Sequence, residues 1–300
     1  DIITEDTKLN RDTQNLKALD RKLVDLLTVY FSLGLLQLQR ITWESSCDIL
    51  QKVADHESVH PVRSWADIKQ RVGAYRRCFV FFHPTMPRDP LMILHVALVN
   101  GISSSIRQIV SQKRQTDVVE DTKHLSTLKT AIFYSINSTQ PGLKGIDLGN
   151  TLIKNVAYYL QKEIPGIREF STLSPIPGFR KWLITEINLF TNDLLLKHEA
   201  QAIDELIKLP DNSSPLEKLK RVLNDANDWL LHEEQPDKKG LILKAILLRL
   251  CSRYLYQEKR RGFALDGVAH FHLKNGARLY RVNWLADPSP RGIQQSFGLM

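Results

Sequence analysis

The chain has 300 residues, of which 43% are hydrophobic and 25% charged, the composition of an ordinary soluble globular protein with a substantial core. Its three cysteines lie far apart without a C-x-x-C pair, and no apolar run approaches the roughly twenty residues that span a bilayer, so neither a disulfide framework, nor a cysteine zinc site, nor a membrane span is indicated. The formal net charge of +8 favours an anionic partner, which is nucleic acid, an acidic membrane or a phosphorylated small molecule.

Residues 9–40 carry apolar side chains at helical spacing, which predicts one or two helices with a single apolar stripe. Such a stripe has to be covered by upstream sequence, by the following domain or by another subunit. We expect an oligomer contact here. The stripe consists of Leu16, Leu19, Leu23, Leu26, Leu27, Tyr30 and Leu33.

Two short helices, over 48–53 and about 64–72, are predicted before two compact apolar runs at 78–82 and 91–99. Three prolines between the runs enforce a tight connection, so we predict neighbouring antiparallel strands. His83 and His95 lie in or beside these strands. A lone histidine in such a place is expected to be a hydrogen-bonded core residue rather than a metal ligand.

A short helix around 102–109 and an exposed loop over 112–126 lead into a strand, loop, helix, strand unit at 130–179. The first strand covers 131–136, the glycine turn covers 140–145, and the helix repeats an apolar residue every four positions from Leu148 to Leu160. A second short strand follows and ends in a serine-proline turn.

The glycine turn enters the helix where unpaired N–H groups and the positive end of the helix dipole attract an anion. A diphosphate could lie there, with charge added by Lys144 and Lys154. The glycines are equally compatible with a plain turn between strand and helix, and their spacing alone does not decide. The candidate anion-binding residues are Lys144, Gly145, Ile146, Asp147, Leu148, Gly149 and Asn150.

The remaining chain is predicted to be helical over 182–196, 199–209, 216–231 and 240–257, a scaffold inserted between strands. Alternating residues on both sides of Asn275 and Gly276 then predict a β-hairpin with a type I′ turn. On a strand, His270 and His272 point to the same face.

Ser171, Ser174 and the two histidines are the candidates for chemistry. A serine hydrolase is disfavoured because there is no G-x-S-x-G motif, and because Pro175 removes the backbone N–H that commonly helps to bind an oxyanion. Proton transfer by a histidine, with a serine as hydrogen-bond donor, is the alternative. The dense basic runs, 76–77 and 259–261, are predicted to be solvated surface, so no nucleic-acid partner is expected.

Several long runs resemble the malonyl-CoA decarboxylase family, in the same order, from about Leu33 onward. They read ITWESSCDILQKV, VHPVRSWADIKQRVGAYRRCFVFFH, MILHVALVNGISSSI, AIFYSINSTQPGLKGIDLG, FSTLSPIPGF and HFHLKNGARLYRVNWLAD. The resemblance implies an α+β fold like that of the GNAT acyltransferase superfamily, with a mixed, mostly antiparallel sheet flanked by helices and a helical insertion at about 182–260.

The resemblance also implies a domain organisation. Residues 1–40 correspond to the end of a helical oligomerisation domain, and residues 41–300 to a malonyl-CoA-binding catalytic domain whose C-terminus is truncated before a tyrosine-containing strand. A homotetramer is implied, as is a location in mitochondria, peroxisomes or cytosol.

The activity implied is conversion of malonyl-CoA to acetyl-CoA and CO₂ without a metal or an organic cofactor. Ser174 and His272 correspond to the family's catalytic serine and histidine, which makes Ser171 and His270 supporting residues or bystanders. The CoA diphosphate loop corresponds to 144–150, although its glycines depart from the superfamily pattern Q/R-x-x-G-x-G/A. The alternatives are an acyl-CoA N-acyltransferase of the same fold and a CoA-binding scaffold without catalysis.

Overall fold

The structure is a computed structural model that describes residues 2–110, 125–191, 193–207, 213–225 and 238–300. The chain divides into two compact units, residues 1–102 with 113–172 and residues 103–112 with 173–300, and each is described by itself. The predicted loop at 112–126 lies almost wholly outside the described residues. In chain order the elements are α1 (Ile2–Tyr30), β1 (Gln37–Ile41), α2 (Cys47–Asp55), α3 (Trp65–Arg71), β2 (Arg76–Phe82), β3 (Met92–Val99), α4 (Ile106–Val110), β4 (Thr130–Ser138), α5 (Leu148–Glu163), β5 (Glu169–Thr172), α6 (Phe179–Asn188), α7 (Lys197–Leu206), α8 (Pro215–Asn224), α9 (Lys238–Tyr256), β6 (Lys259–Arg260), β7 (Phe263–Ala264), α10 (Gly267–Lys274) and α11 (Pro290–Ser296).

The first unit is built on a five-stranded sheet in the order β1-β2-β3-β4-β5. Strands β1 to β4 are antiparallel to their neighbours, and β4 pairs with β5 in parallel. The predicted antiparallel neighbours at 78–82 and 91–99 are β2 and β3, and the predicted strand, loop, helix, strand unit is β4, α5 and β5. The expected mixed, mostly antiparallel sheet flanked by helices is therefore confirmed.

Helices cover both faces of this sheet. The four-residue repeat of α5 is fully buried and packs with alternate residues of β3 such as Leu94 and Val96. The opposite face, including Val80 and Ile93, packs against α2 and α3. This division follows from the strands, because successive side chains of a strand point to opposite faces.

Strand β1 is a correction, because residues 37–40 were predicted to belong to a helix. Helix α1 ends at Tyr30, and Gln37 to Ile41 pair with β2 from Phe82 to Cys78. Side-chain exposure alternates along the strand, with Gln37 and Gln39 exposed and Leu38 and Arg40 partly buried, which is the pattern of a half-buried edge strand. Backbone bonds to β2 decide its conformation.

The basic pair at 76–77 is a second correction, since it was predicted to be solvated. Arg77 is buried, and its guanidinium donates to Glu163 of α5 at 2.9 Å and to the carbonyl of Ala74 at 2.8 Å. Glu163 also accepts from Arg40 of β1 at 3.0 Å. These bonds connect two strands to the last residue of α5. The other basic run, 259–261, is exposed as predicted.

A buried polar cluster lies within the sheet face covered by α2 and α3. The Glu57 carboxylate accepts from the hydroxyl of Ser135 at 2.7 and 2.9 Å and from the N–H groups of Val59 and His60 at 2.8 and 2.9 Å. His95 is fully buried with Nε2 3.3 Å from the carboxylate.

The histidine predictions for this region are met at one residue and not at the other. Nδ1 of His83 makes the expected hydrogen bond, to the hydroxyl of Thr85 at 2.7 Å. Neither ring nitrogen of His95 makes a hydrogen bond within the described residues. The expected hydrogen-bonded core histidine is thus wrong for His95, which lies beside the Glu57 carboxylate without the geometry of a hydrogen bond.

Burial lowers the pKa of His95 to about 4, since a charged ring is poorly solvated in the core. Burial alone would raise the pKa of Glu57, but the adjacent His95, the hydrogen bonds from His60 and Ser135, and the Arg71 guanidinium together hold that pKa below the usual range. At neutral pH the cluster therefore contains a neutral imidazole beside an ionised carboxylate.

The second unit is helical, and α6 to α9 correspond to the four predicted helices. Their apolar faces form one core that includes Phe179, Leu183, Leu223 and Leu247. Helix α6 ends at Asn188, earlier than predicted, and a positive φ of 49° at Phe190 follows. The predicted ends of the next two helices, beyond 207 and 225, lie outside the described residues.

The predicted C-terminal hairpin is wrong: residues 267–274 form helix α10, and no strand follows them in the described chain. Asp266 starts the helix by accepting from the N–H groups of Val268 and Ala269 at 3.0 and 2.9 Å. Gly276, with φ +86°, follows the helix end instead of a hairpin turn. His270 and His272 consequently lie about 200° apart around a helix rather than on one face.

The His95 cluster makes stability depend on pH. The unfolded chain binds a proton at an ordinary histidine below about pH 6.5, whereas folded His95 resists protonation down to about pH 4. We expect the free energy of unfolding, measured with urea, to fall by about 2 kcal/mol between pH 7 and pH 4.5 from this residue. His95→Asn should flatten this dependence, and exposed His198→Gln should not. Equal slopes in wild type and His95→Asn would contradict the assignment.

Candidate active site

Ser174 lies in the short loop between β5 and α6, within the second unit. The loop contains two prolines, Pro175 and Pro177, which restrict its backbone. It is anchored on both sides of Pro175 by the buried side chains of Leu173 and Ile176. The serine hydroxyl is thereby presented from a constrained segment rather than from a long loop.

His272 lies in the last turn of α10 and meets Ser174 across 98 residues of sequence. The distance between Ser174 Oγ and His272 Nε2 is 3.0 Å, and both side chains are half-buried. A neutral ring with its proton on Nδ1 accepts from the hydroxyl, whereas a ring protonated at Nε2 donates to it. The structure thus brings together the two residues to which the family resemblance assigns catalytic roles.

Burial lowers the pKa of His272, and the negative charge of Asp266 partly opposes this by raising it. The ring is therefore mostly uncharged at neutral pH. The uncharged ring can accept a proton and the protonated ring can donate one, so His272 can act as a general base or, when protonated, as a general acid.

Ser171 and His270, the other two candidates, do not share this contact. Ser171 lies in β5, in the first unit, and its hydroxyl donates to the carbonyl of Thr172 at 3.3 Å. The ring of His270 packs edge-on against Phe263, with centroids 5.0 Å apart. The separation of His270 from His272 follows from the helical conformation of 267–274.

The predicted anion loop, 144–150, belongs to the first unit and connects β4 to α5. A single 3₁₀ turn at Pro141–Leu143 precedes it. Gly145 has φ +100°, a conformation that residues with a Cβ rarely adopt, so this glycine is required by the turn itself. Lys144 is exposed beside it.

Two backbone N–H groups of this loop, those of Gly145 and Asp147, donate to no acceptor within the described part of the chain. The side chain of Asp147 caps α5 by accepting from the N–H of Asn150 at 3.4 Å. The loop therefore offers free donors and a lysine for an anion, together with one carboxylate that an anion would have to approach or displace.

Asp266 and Tyr254 were missed by the sequence interpretation. Asp266 is buried, caps α10 through Oδ1, and accepts at Oδ2 from the hydroxyl of Tyr254 at 3.3 Å. An aspartate directly before an apolar run is a recognised helix-start signal, so Asp266 could have been found had the segment not been assigned to a hairpin. The Tyr254 contact has no local signal.

The residues that the structure describes contain no group of three or more histidine, cysteine, aspartate or glutamate side chains arranged to hold a metal ion. Their helices include none that is both long and apolar enough to span a bilayer.

Residues 34–300 match the family model described as the malonyl-CoA decarboxylase C-terminal domain. The chain is 47% identical over 294 residues to a protein of Anser anser anser named malonyl-CoA decarboxylase, mitochondrial, covering 96% of this chain and 56% of the relative. A protein of the same name from Rattus norvegicus is 45% identical over 283 residues, covering 93% and 55%. The chain thus spans about half the length of these relatives.

Solved structures give the same result. A malonyl-CoA decarboxylase of Agrobacterium vitis is 36% identical with a TM-score of 0.80, covering 95% of this chain and 64% of that one. The enzyme of the same name from Rhodopseudomonas palustris is 37% identical with a TM-score of 0.75, covering 95% and 63%.

Proposed function

The chain belongs to the malonyl-CoA decarboxylase family, and on this premise we propose that it is a carboxy-lyase that converts malonyl-CoA to acetyl-CoA and CO₂. The observation that carries the proposal is the 3.0 Å contact between Ser174 Oγ and His272 Nε2. It pairs a hydrogen-bond donor with a proton carrier, the two functions that this reaction requires.

Decarboxylation breaks the bond between the α-carbon and the carboxylate carbon of the malonyl group. The electron pair moves to the thioester as an enolate, CO₂ departs, and the α-carbon takes up one proton. Because the thioester carbonyl itself accepts the electron pair, the proposed reaction uses no metal ion or organic cofactor. A donor aimed at the developing enolate oxygen is typically worth about 2.7–4 kcal/mol.

In this proposal the protonated form of His272 delivers its proton to the α-carbon, becomes neutral, and takes up a proton from solvent before the next turnover. Ser174 orients the malonyl carboxylate or relays the proton, since its hydroxyl lies within hydrogen-bond distance of the ring. The CoA diphosphate binds along residues 144–150, where the free N–H groups of Gly145 and Asp147 and the charge of Lys144 favour a phosphate.

The relatives from Anser anser anser and Rattus norvegicus are named mitochondrial, so the mitochondrion is the proposed compartment. We propose peroxisomal and cytosolic forms in addition. We also propose a homo-oligomer, a tetramer, assembled through α1, whose apolar stripe is exposed: Leu16, Leu19, Leu23 and Leu26 are 47–66% accessible to solvent.

His272→Ala should lower kcat for acetyl-CoA formation by about a hundredfold to ten-thousandfold and leave KM for malonyl-CoA within a few-fold, since the ring acts on the reacting carbon. His270→Ala, two residues away on a different side of α10, is the matched control and should retain activity. Acetyl-CoA is measured with and without an amine acceptor. Transfer only to the amine would indicate an N-acyltransferase, and saturable binding without turnover a scaffold; both would overturn the proposal.

The diphosphate loop is tested at Lys144. Lys144→Gln should raise KM for malonyl-CoA several-fold with kcat nearly unchanged, because the charge contacts a part of the substrate that does not react. Lys162→Gln serves as the control, since Lys162 lies in the last turn of α5, about 21 Å along the helix from its start. Equal KM values in wild type and Lys144→Gln would remove the loop from the proposal.

The oligomer is tested on α1. Leu19→Glu with Leu26→Glu should dissociate the full-length protein, because charges on the stripe cannot be buried without cost. Leu189→Glu changes a leucine of the second unit that is 68% exposed and should leave the mass unchanged. Light scattering coupled to gel filtration gives the mass, and an unchanged mass in the α1 variant would refute this assembly.

A further inference from the structure

We propose that Asp266 and Tyr254 are positioning residues that hold His272 against Ser174, an inference that rests on the proposed function of that pair. Neither residue touches the pair through a described hydrogen bond. Both lie in the second unit, where they connect the helix that carries His272 to the loop that carries Ser174.

Asp266 fixes the helix. Its Oδ1 accepts from the N–H groups of Val268 and Ala269, and its Oδ2 accepts from the hydroxyl of Tyr254. Both oxygens of this carboxylate are therefore hydrogen-bonded in a residue that is only 2% exposed. A buried negative charge at a helix N-terminus is favourable, because it faces unpaired N–H groups and the positive end of the dipole. His272 lies about 9 Å further along the same helix, so the position of its ring depends on this cap.

Gly178 connects the same pair to the Ser174 loop. A Cβ at this position would lie 2.1 Å from the hydroxyl oxygen of Tyr254 and 3.6 Å from Oδ2 of Asp266. The φ of Gly178 is −96°, which other residues adopt readily, so glycine is needed here for close approach and not for backbone freedom. The end of the Ser174 loop therefore passes directly over the bond between Tyr254 and Asp266.

Tyr254 is itself held in the helical core. Its ring lies 5.8 Å from that of Phe179 and 5.2 Å from that of Trp182, both in α6, which follows the Ser174 loop. Burial and the nearby Asp266 charge raise the pKa of Tyr254, so its hydroxyl stays protonated and continues to donate. One buried hydroxyl thus contacts both segments that present the reacting side chains.

Asp266 also acts on His272 by charge. Burial lowers the pKa of His272, and the Asp266 carboxylate partly restores it. Among the other groups near the His272 ring, Ser174 faces it from the loop between β5 and α6. Helix α10 itself carries two further titratable side chains, those of His270 and Lys274. Strand β7, which packs on α10, consists of Phe263 and Ala264 and brings no titratable group. A change of charge at Asp266 should therefore be visible in the titration of His272.

The test compares Asp266→Asn with wild-type full-length protein. Asparagine retains a capping oxygen but not the charge, so the helix is expected to stay folded by circular dichroism. The pKa of His272, measured by NMR without substrate, should fall, because the charge that partly restores it is gone. The limb of the pH profile of kcat that is set by His272 should move to lower pH by the same amount, with KM within about twofold.

Two further variants separate positioning from folding. Tyr254→Phe and Gly178→Ala should each lower kcat about tenfold or more at unchanged KM, because they remove or displace the hydroxyl that ties the two segments. Gly267→Ala, where a Cβ would meet no atom within 4 Å, is the control and should keep full kcat. An unchanged His272 pKa in Asp266→Asn, or full kcat in both Tyr254→Phe and Gly178→Ala, would overturn the inference. If the titration shifts while wild type releases no acetyl-CoA, the proposed function fails and the positioning of the pair stands.

Discussion

The proposed chemistry depends on a single contact between two side chains 98 residues apart, Ser174 and His272. Neither side chain is held by its own segment alone, since one lies in a proline-rich loop and the other near the end of a two-turn helix. The helical core of the second unit supplies the rigidity. Close packing of Phe179, Tyr254 and their neighbours leaves these segments few alternative positions, and a misplacement of about 1 Å would already be costly for catalysis.

Much of the fold could be predicted where the pattern was long or composed of one residue class. The apolar repeat of α5 and the compact apolar runs of β2 and β3 were predicted correctly, because the spacing of their apolar residues reflects the faces that are buried. Short segments that carry two competing sequence signals were predicted wrongly. At 267–276 the alternating pattern and the Asn-Gly pair favoured a hairpin, but the cap formed by Asp266 stabilises a helix, and the glycine follows its end. At 37–41 the pairing with β2 decided against continuation of a helix.

The candidate site was predictable only in part, for a related reason. Ser174 and His272 were selected through the family resemblance, because spacing along the chain says nothing about which late segment meets which early one. The helical conformation of α10 separates His270 from His272, a distinction that a strand would not have made. Tyr254 and Gly178 have no local signature at all, since their role arises from a close approach in the folded second unit.

The ionic contacts at the end of α5 have a consequence for how ligand binding can be measured. Glu163 bonds to buried Arg77 and to Arg40, and charges that are shielded from water respond weakly to dissolved ions. Raising the ionic strength should therefore weaken the proposed contact between exposed Lys144 and a phosphate, while the anchorage of the helix to the sheet persists. The dependence of malonyl-CoA affinity on ionic strength would then reflect the charges of the 144–150 loop, because the anchorage of α5 to the sheet would stay intact.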